Sequence, residues 1–294
     1  MSDLMTREAL IEHVECSPKA VAAQDRHAWL NLFADFAIVE DPVGSEPHIA
    51  GLYDRKTGCR GNGPVARFYD TFIAGNTVLF HVEADYVCGP YVMRDLDLEP
   101  GGLGRRVPMH LLYEMVEQRA GLRIKRLAAH WEVVPTDKQT EKSEASASSR
   151  NGGTGGAGAM LLKIFRIQGL MGTLRWFKCL FNVGAKGRAA AAGFFSALNR
   201  LQQGADVDRK EQLLALFSDD MRGISFPASA PPESIHEFID RSLRFAPHKW
   251  LVSGSAVTCS VLMDDGERKT PGVVLFEINR RTSLIESVQF FFNQ

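Results

Sequence analysis

No two of the five cysteines form a CxxC pair: Cys16, Cys59, Cys88, Cys179 and Cys259 are scattered and odd in number. That spacing argues against a zinc site and a disulfide scaffold and leaves buried, reduced thiols as the expectation. No GxGxxG, Walker loop or HExxH occurs, so neither a phosphate cradle nor a zincin site is expected, and no cofactor or metal. No uncharged apolar run reaches the roughly 18 residues a spanning helix needs. Met1 to Glu8 lack a basic stretch followed by an apolar one, so a cytoplasmic protein without a secretion signal is expected. The net charge of −1 gives no pull toward nucleic acid. One further absence is local. From Ala145 to Ala205 there is no Asp or Glu, while Arg150, Lys163, Arg166, Arg175, Lys178, Lys186, Arg188 and Arg200 all fall there.

What is present divides near the middle. At 294 residues two domains are the natural expectation. Residues 136–159 are polar, then rich in Ser and Gly, without apolar periodicity, and read as a flexible linker. Residues 160–189 read as a basic amphipathic segment. Residues 160–181 could lie peripherally on an anionic membrane, or pack an apolar side on the protein with the basic residues reaching outward. The second part, 190–294, repeats the first, 1–135. Asp208 to Met221 parallels Asp25 to Ala37, Leu284 to Phe292 parallels Arg123 to Trp131, and Pro231 to Ile239 reads as a capped helix like that starting at Pro64. Aligning Phe217 with Phe33 places Ser225 at the position of Asp41, with Phe226 next. Serine is no unassisted base at neutral pH, so the second copy is expected to have lost any chemistry.

Ala37 to Asp41 reads as a strand with Ala37, Val39 and Asp41 on one face, stopped by Pro42 and Gly44. A carboxylate on an apolar face either caps the turn or has chemical work. Val107 to Val116 reads as another strand, with His110, Leu112, Glu114 and Val116 on one face, and the next carries Leu127, Ala129 and Trp131 on one face. Ser17-Pro18 reads as a helix start. Arg94-Asp95 and Asp97 read as a solvated strand edge.

The run Gln24 to Gly44, ending in Val39-Glu40-Asp41-Pro42-Val43-Gly44, resembles the bacterial ketosteroid isomerases, as do Gly63 to Tyr69 and Leu122 to Trp131. The resemblance implies an α+β fold of two tandem cones, each a curved, mostly antiparallel sheet around helices, paired within the chain through their sheets and able to form homo-oligomers. It implies Asp41 as the base that moves a proton on a hydrophobic carbonyl compound, steroid-like or polyketide-like. By the family's spacing Glu114 falls where a neutral acid donates to the substrate oxygen, a mechanism for which this family is the standard illustration. Val39, Phe68, His110, Leu112 and Trp131 are the implied pocket residues. The family's helix tyrosine falls on Ser17, leaving Tyr69, Tyr86, Tyr91, Tyr113 or His110 as substitute donors. The same fold also implies two alternatives: a non-catalytic binding or scaffold protein, and an epoxide hydrolase or dehydratase using Arg94 with Asp95 and Asp97, or His81 or His110.

Overall fold

A computed structural model describes residues 5–50, 63–101, 106–119, 121–132, 166, 167, 169, 173, 174, 176–203 and 207–293. The expected linker at 136–159 and half of 160–181 lie outside them.

Helix α1 (Arg7–Ala22) is capped by Thr6, whose side chain accepts the Ala9 N–H. Leu10, Val14, Ser17 and Val21 are buried along one stripe. The reading of Ser17-Pro18 as a helix start is therefore corrected: Pro18 lies inside α1. A proline there costs about 3 kcal/mol. Burying three aliphatic side chains at about 1.5–3 kcal/mol each outweighs it. Helix α2 (Arg26–Asn31) is capped by Asp25. Then come β1 (Phe33–Glu40), β2 (His48–Ile49) and α3 (Pro64–Phe68), which runs on as a wide turn over Tyr69–Ile73. Strands β3 (Val78–Cys88), β4 (Tyr91–Pro100), β5 (Val107–Gln118) and β6 (Gly121–His130) complete a six-stranded sheet. Its order is β2-β1-β6-β5-β4-β3, and β1 runs parallel to β6 in an otherwise antiparallel array.

The second half opens with a single tight turn, Phe177–Leu180, and helix α4 (Gly184–Leu201). It continues through α5 (Val207–Leu214), β7 (Gly223–Ser225), α6 (Ile235–Ile239), β8 (Arg244–Ser253), β9 (Ala256–Asp264), β10 (Lys269–Ile278) and β11 (Ile285–Phe292). Helix α6 begins after Ser234, which forms a reciprocal cap with Glu237, so Pro231 to Glu233 precede it. The five strands are ordered β7-β11-β10-β9-β8, with β7 parallel to β11.

The two ladders match rung for rung. Asp85, Arg94, Leu111 and Ala129 form one row across the first sheet. Trp250, Cys259, Val274 and Phe290 form the same row in the second. The register shifts coincide as well: after Val82 and after Pro247, and between Glu114 and Met115 and between Glu277 and Ile278. The chain is thus an α+β protein of two mixed, mostly antiparallel sheets, each holding its helices on one face.

Those inner faces make two cores. The first gathers Leu10, Val14 and Trp29 with Val39, Leu111, Tyr113 and Ala129. The second buries seven phenylalanines: Phe194, Phe195, Phe238, Phe245, Phe276, Phe290 and Phe292. A third cluster lies between the halves on the outer faces. It joins Val43, Tyr86, Cys88, Met93, Leu112 and Ala128 to Ala228, Ala256, Val273, Leu275 and Phe291. Polar bonds cross beside it. Lys249 Nζ donates to Asp95 at 2.6 Å, Ser260 donates to Asp95 at 2.6 Å, and the His110 ring meets Thr258 at 2.7 Å and Ser260 at 2.9 Å. Backbones touch where Gly44, at φ +95°, meets Gly254: a Cβ on Gly44 would lie 2.4 Å from the Gly254 Cα, so only glycine fits.

Candidate active site

Strand β1 buries Ala37 and Val39, and the same alternation carries Asp41 inward just past its end. The turn is fixed by Val43 N–H donating to Ala129 O at 2.8 Å. Trp131, two residues beyond Ala129, then reaches Asp41: its Nε1–H donates to Oδ1 at 2.7 Å. Burial pushes the Asp41 carboxyl up to about 6, against the opposing pull of the Trp131 bond. One neutral donor does not replace the water that a carboxylate loses. Over this corner lies the turn Phe177–Leu180. Its Cys179 is buried, and its thiol is pushed up to about 11 by burial first and by the Asp41 charge as well. Lys178 on the same turn lies 3.4 Å from Glu46, while Leu180 and Phe181 face outward at 42 % and 74 % exposure.

A second polar group lies on the same inner face. Tyr113 is buried on β5, and its hydroxyl shares a hydrogen bond with Ser17 of α1, which also accepts the Trp29 Nε1–H at 3.2 Å. Burial pushes the Tyr113 phenol up to about 12. Arg94, between Val92 and Leu96 on β4, points into the same core with its side chain wholly buried. Its Nε and Nη2 donate to Asp85 at 2.7 and 2.9 Å, and Nη2 also donates to Glu15 at 2.5 Å. The expectation of a solvated edge at Arg94 and Asp95 is corrected. Arg94 is inside the first core, and Asp95 is buried between the halves with His110, Lys249 and Ser260.

Of the residues singled out in the sequence, Asp41, Val39, Phe68 and Trp131 belong to the first core or its rim. Glu114, His110 and Leu112 do not. They share a face, as read, but it is the outer one: Leu112 packs on the second half, His110 bonds to it, and Glu114 pairs with Lys125 at 2.6 Å. The reason is cross-strand pairing. Leu111 stands opposite Ala129 and Tyr113 opposite Leu127, so the face of Trp131 is continued by Leu111 and Tyr113. A bulge then shifts the ladder between Glu114 and Met115, which counting along one strand does not show. Among the substitute donors, Tyr86 packs in the cluster between the halves, Tyr91 meets Phe291 edge to face, and Tyr69 is in the first core with no partner for its hydroxyl among the described residues. His81 pairs with Glu99 at 3.0 Å. No cluster of three His, Cys, Asp or Glu side chains suited to a metal occurs among the described residues.

The position of Asp41 in the second half is also settled by the ladder. Ala228 N–H donates to Phe290 O at 2.7 Å, the counterpart of the Val43–Ala129 bond, so Phe226 stands at the place of Asp41 and Phe292 at that of Trp131. Ser225 corresponds to Glu40. One extra residue between Phe217 and Gly223, where the first half runs from Phe33 to Ile38, moves the register. Cys259 and Phe276 replace Arg94 and Tyr113. Every one of these four inner polar groups has become Phe or Cys.

No family model matches this chain, and no curated protein matches it. Solved structures do. RV0760c of Mycobacterium tuberculosis is 25 % identical over 42 % of this chain and 94 % of its own, with a TM-score of 0.33. The same protein, in complex with estradiol-17beta-hemisuccinate, matches at 24 % identity over 42 % of this chain and 94 % of its own, with a TM-score of 0.32. The Delta 5-3-ketosteroid isomerase of a Mycobacterium species is 26 % identical over 42 % of this chain and 92 % of its own, with a TM-score of 0.32. Each spans less than half of the present chain.

Proposed function

We propose that the first half binds a hydrophobic carbonyl compound within its core and moves a proton on it, with Asp41 as the base. The observation that carries this is the Asp41 carboxyl itself. It is turned inward and, among the described residues, held by one neutral donor, Trp131, with its pKa pushed up to about 6. A base poised near neutral pH takes a proton from carbon and returns it with little loss in either direction. The step is an isomerisation: Asp41 removes a proton beside the carbonyl, the electron pair moves into the enolate, and the same carboxyl delivers the proton to another carbon. Trp131 keeps the carboxyl in one orientation through both transfers. The second half takes no part, because Phe226 and Phe292 stand where Asp41 and Trp131 do.

The test is an isomerisation assay on β,γ-unsaturated ketones, run beside a binding assay with the same compounds. Asp41→Asn keeps the shape and the Trp131 bond, so turnover should fall by about 100-fold or more while binding persists. Binding without turnover in the wild type would replace the enzyme reading with that of a carrier. Turnover that survives Asp41→Asn would place the chemistry elsewhere.

A further inference from the structure

We infer that Arg94 anchors a neutral oxygen at the end of the ligand remote from Asp41, and so selects elongated, mostly apolar molecules carrying a ketone or hydroxyl there. The inference rests on the reading that the first core binds such a compound.

Three observations lead to it. First, Arg94 is wholly buried, and its Nη1 has no hydrogen-bond partner among the described residues, although Nε and Nη2 are fully used. An unused guanidinium donor in a dry interior is costly unless something accepts from it. Secondly, the cluster is poor value as a structural device. Buried ion pairs are often matched or bettered by apolar residues of similar size. The second half takes that course, with Cys259 and Trp250 at the positions of Arg94 and Asp85 and a core filled by phenylalanine. Thirdly, Arg94 and the Asp41 turn lie on one row of the sheet: Arg94 faces Leu111, Leu111 faces Ala129, and Ala129 O accepts from Val43. Three strand spacings separate them, roughly 14 Å along the sheet. A ligand that reaches both is long rather than compact, and its middle meets Leu111, Ala129 and Tyr113.

Charge decides the kind of oxygen. Arg94 carries one positive charge, and Asp85 and Glu15 carry two negative ones beside it. A ligand carboxylate would enter a site of net charge −1, whereas a ketone or hydroxyl accepts the Nη1–H without that repulsion.

The experiment measures binding of three steroid 3-ketones that differ only at carbon 17: hydroxyl, no oxygen, or hemisuccinate. Wild-type protein should bind the hydroxyl probe at least tenfold tighter than the deoxy probe, and tighter than the hemisuccinate. Arg94→Lys, which keeps the charge but loses the fork, should bring hydroxyl and deoxy within about threefold of each other. Should that variant melt early, the neutral combination Arg94→Met, Asp85→Asn and Glu15→Gln is measured instead, with the same expected loss of discrimination. Equal wild-type affinity for hydroxyl and deoxy probes, or discrimination that survives either variant, overturns the anchor and leaves the proposed function standing. A hemisuccinate that binds more tightly than the hydroxyl probe overturns the neutral-oxygen assignment. Wild-type protein that binds none of the three overturns the anchor together with the function it rests on.

Discussion

Replacing Asp41 with Asn should make the protein more stable at pH 8 and no more stable at pH 4. Burial raises the carboxyl from its ordinary 3.8 to about 6. In the unfolded chain it ionises at the ordinary value. Below about pH 4 both states hold the proton, and the site costs nothing. Between about 4 and 6 the unfolded chain gives up the proton while the folded one keeps it, so stability falls as pH rises. Above about 6 the cost is complete. At 1.36 kcal/mol per unit, a shift of two units is worth about 3 kcal/mol, and nearer 2 since the carboxyl is only half-buried and keeps some water. Asparagine never ionises and still accepts the Trp131 N–H, so the variant escapes the cost without losing the bond. Urea midpoints at pH 4, 6 and 8 measure the difference, and at pH 8 the melting temperature should rise by about 4–8 °C. A gain of equal size at pH 4 and pH 8 would mean that packing, and not ionisation, is responsible. A loss at pH 8 would mean that the charged form of Asp41 is well solvated, and the argument for a poised base would fall with it.

Glu114→Gln should leave any turnover unchanged and cost under about 1 kcal/mol, since the pair it makes with Lys125 is open to solvent; a tenfold loss of turnover would return Glu114 to the site. Asp95→Asn should destabilise the chain by about 1–3 kcal/mol in urea titrations at pH 7, because it removes the carboxylate nearest Lys249 and leaves Asp97 at 3.6 Å and Glu83 at 3.7 Å. Desolvation would raise the Asp95 carboxyl, but His110, Lys249 and Ser260 together hold it well below the usual range. Its folded value lies under its unfolded one, so this contribution is whole above about pH 4 and fades as pH falls below. A variant as stable as the wild type at pH 7 would show that the cluster is not what joins the halves.

Much of this was legible in the sequence because it depends on local pattern. The inward turn of Asp41 follows from Ala37 and Val39, and the repeat from paired segments that share apolar spacing. The partner of Asp41 is half visible: the alternation puts Trp131 on an apolar face, but its indole bond spans ninety residues of chain. What failed depends on pairing between strands. The bulge beside Glu114 and the opposition of Leu111 with Ala129 decide that Tyr113 faces inward and Glu114 outward, and no single strand records that choice. The one-residue difference before β7 misaligned Ser225 for the same reason. At Arg94 alternation alone argues for solvent, because charged side chains are so seldom buried.

The bond between Ser260 and Asp95 carries a consequence for self-association. These residues occupy the same rung of their respective ladders, so Asp95 bonds to the residue at its own position in the other half. In a pair of identical chains joined this way, aspartate would face aspartate, and two buried carboxylates would repel. Within one chain the two positions need not match: one carries an acid beside Lys249, and the other carries a hydroxyl that donates to that acid. On this face the first half is complementary to the second and not to an identical copy of itself.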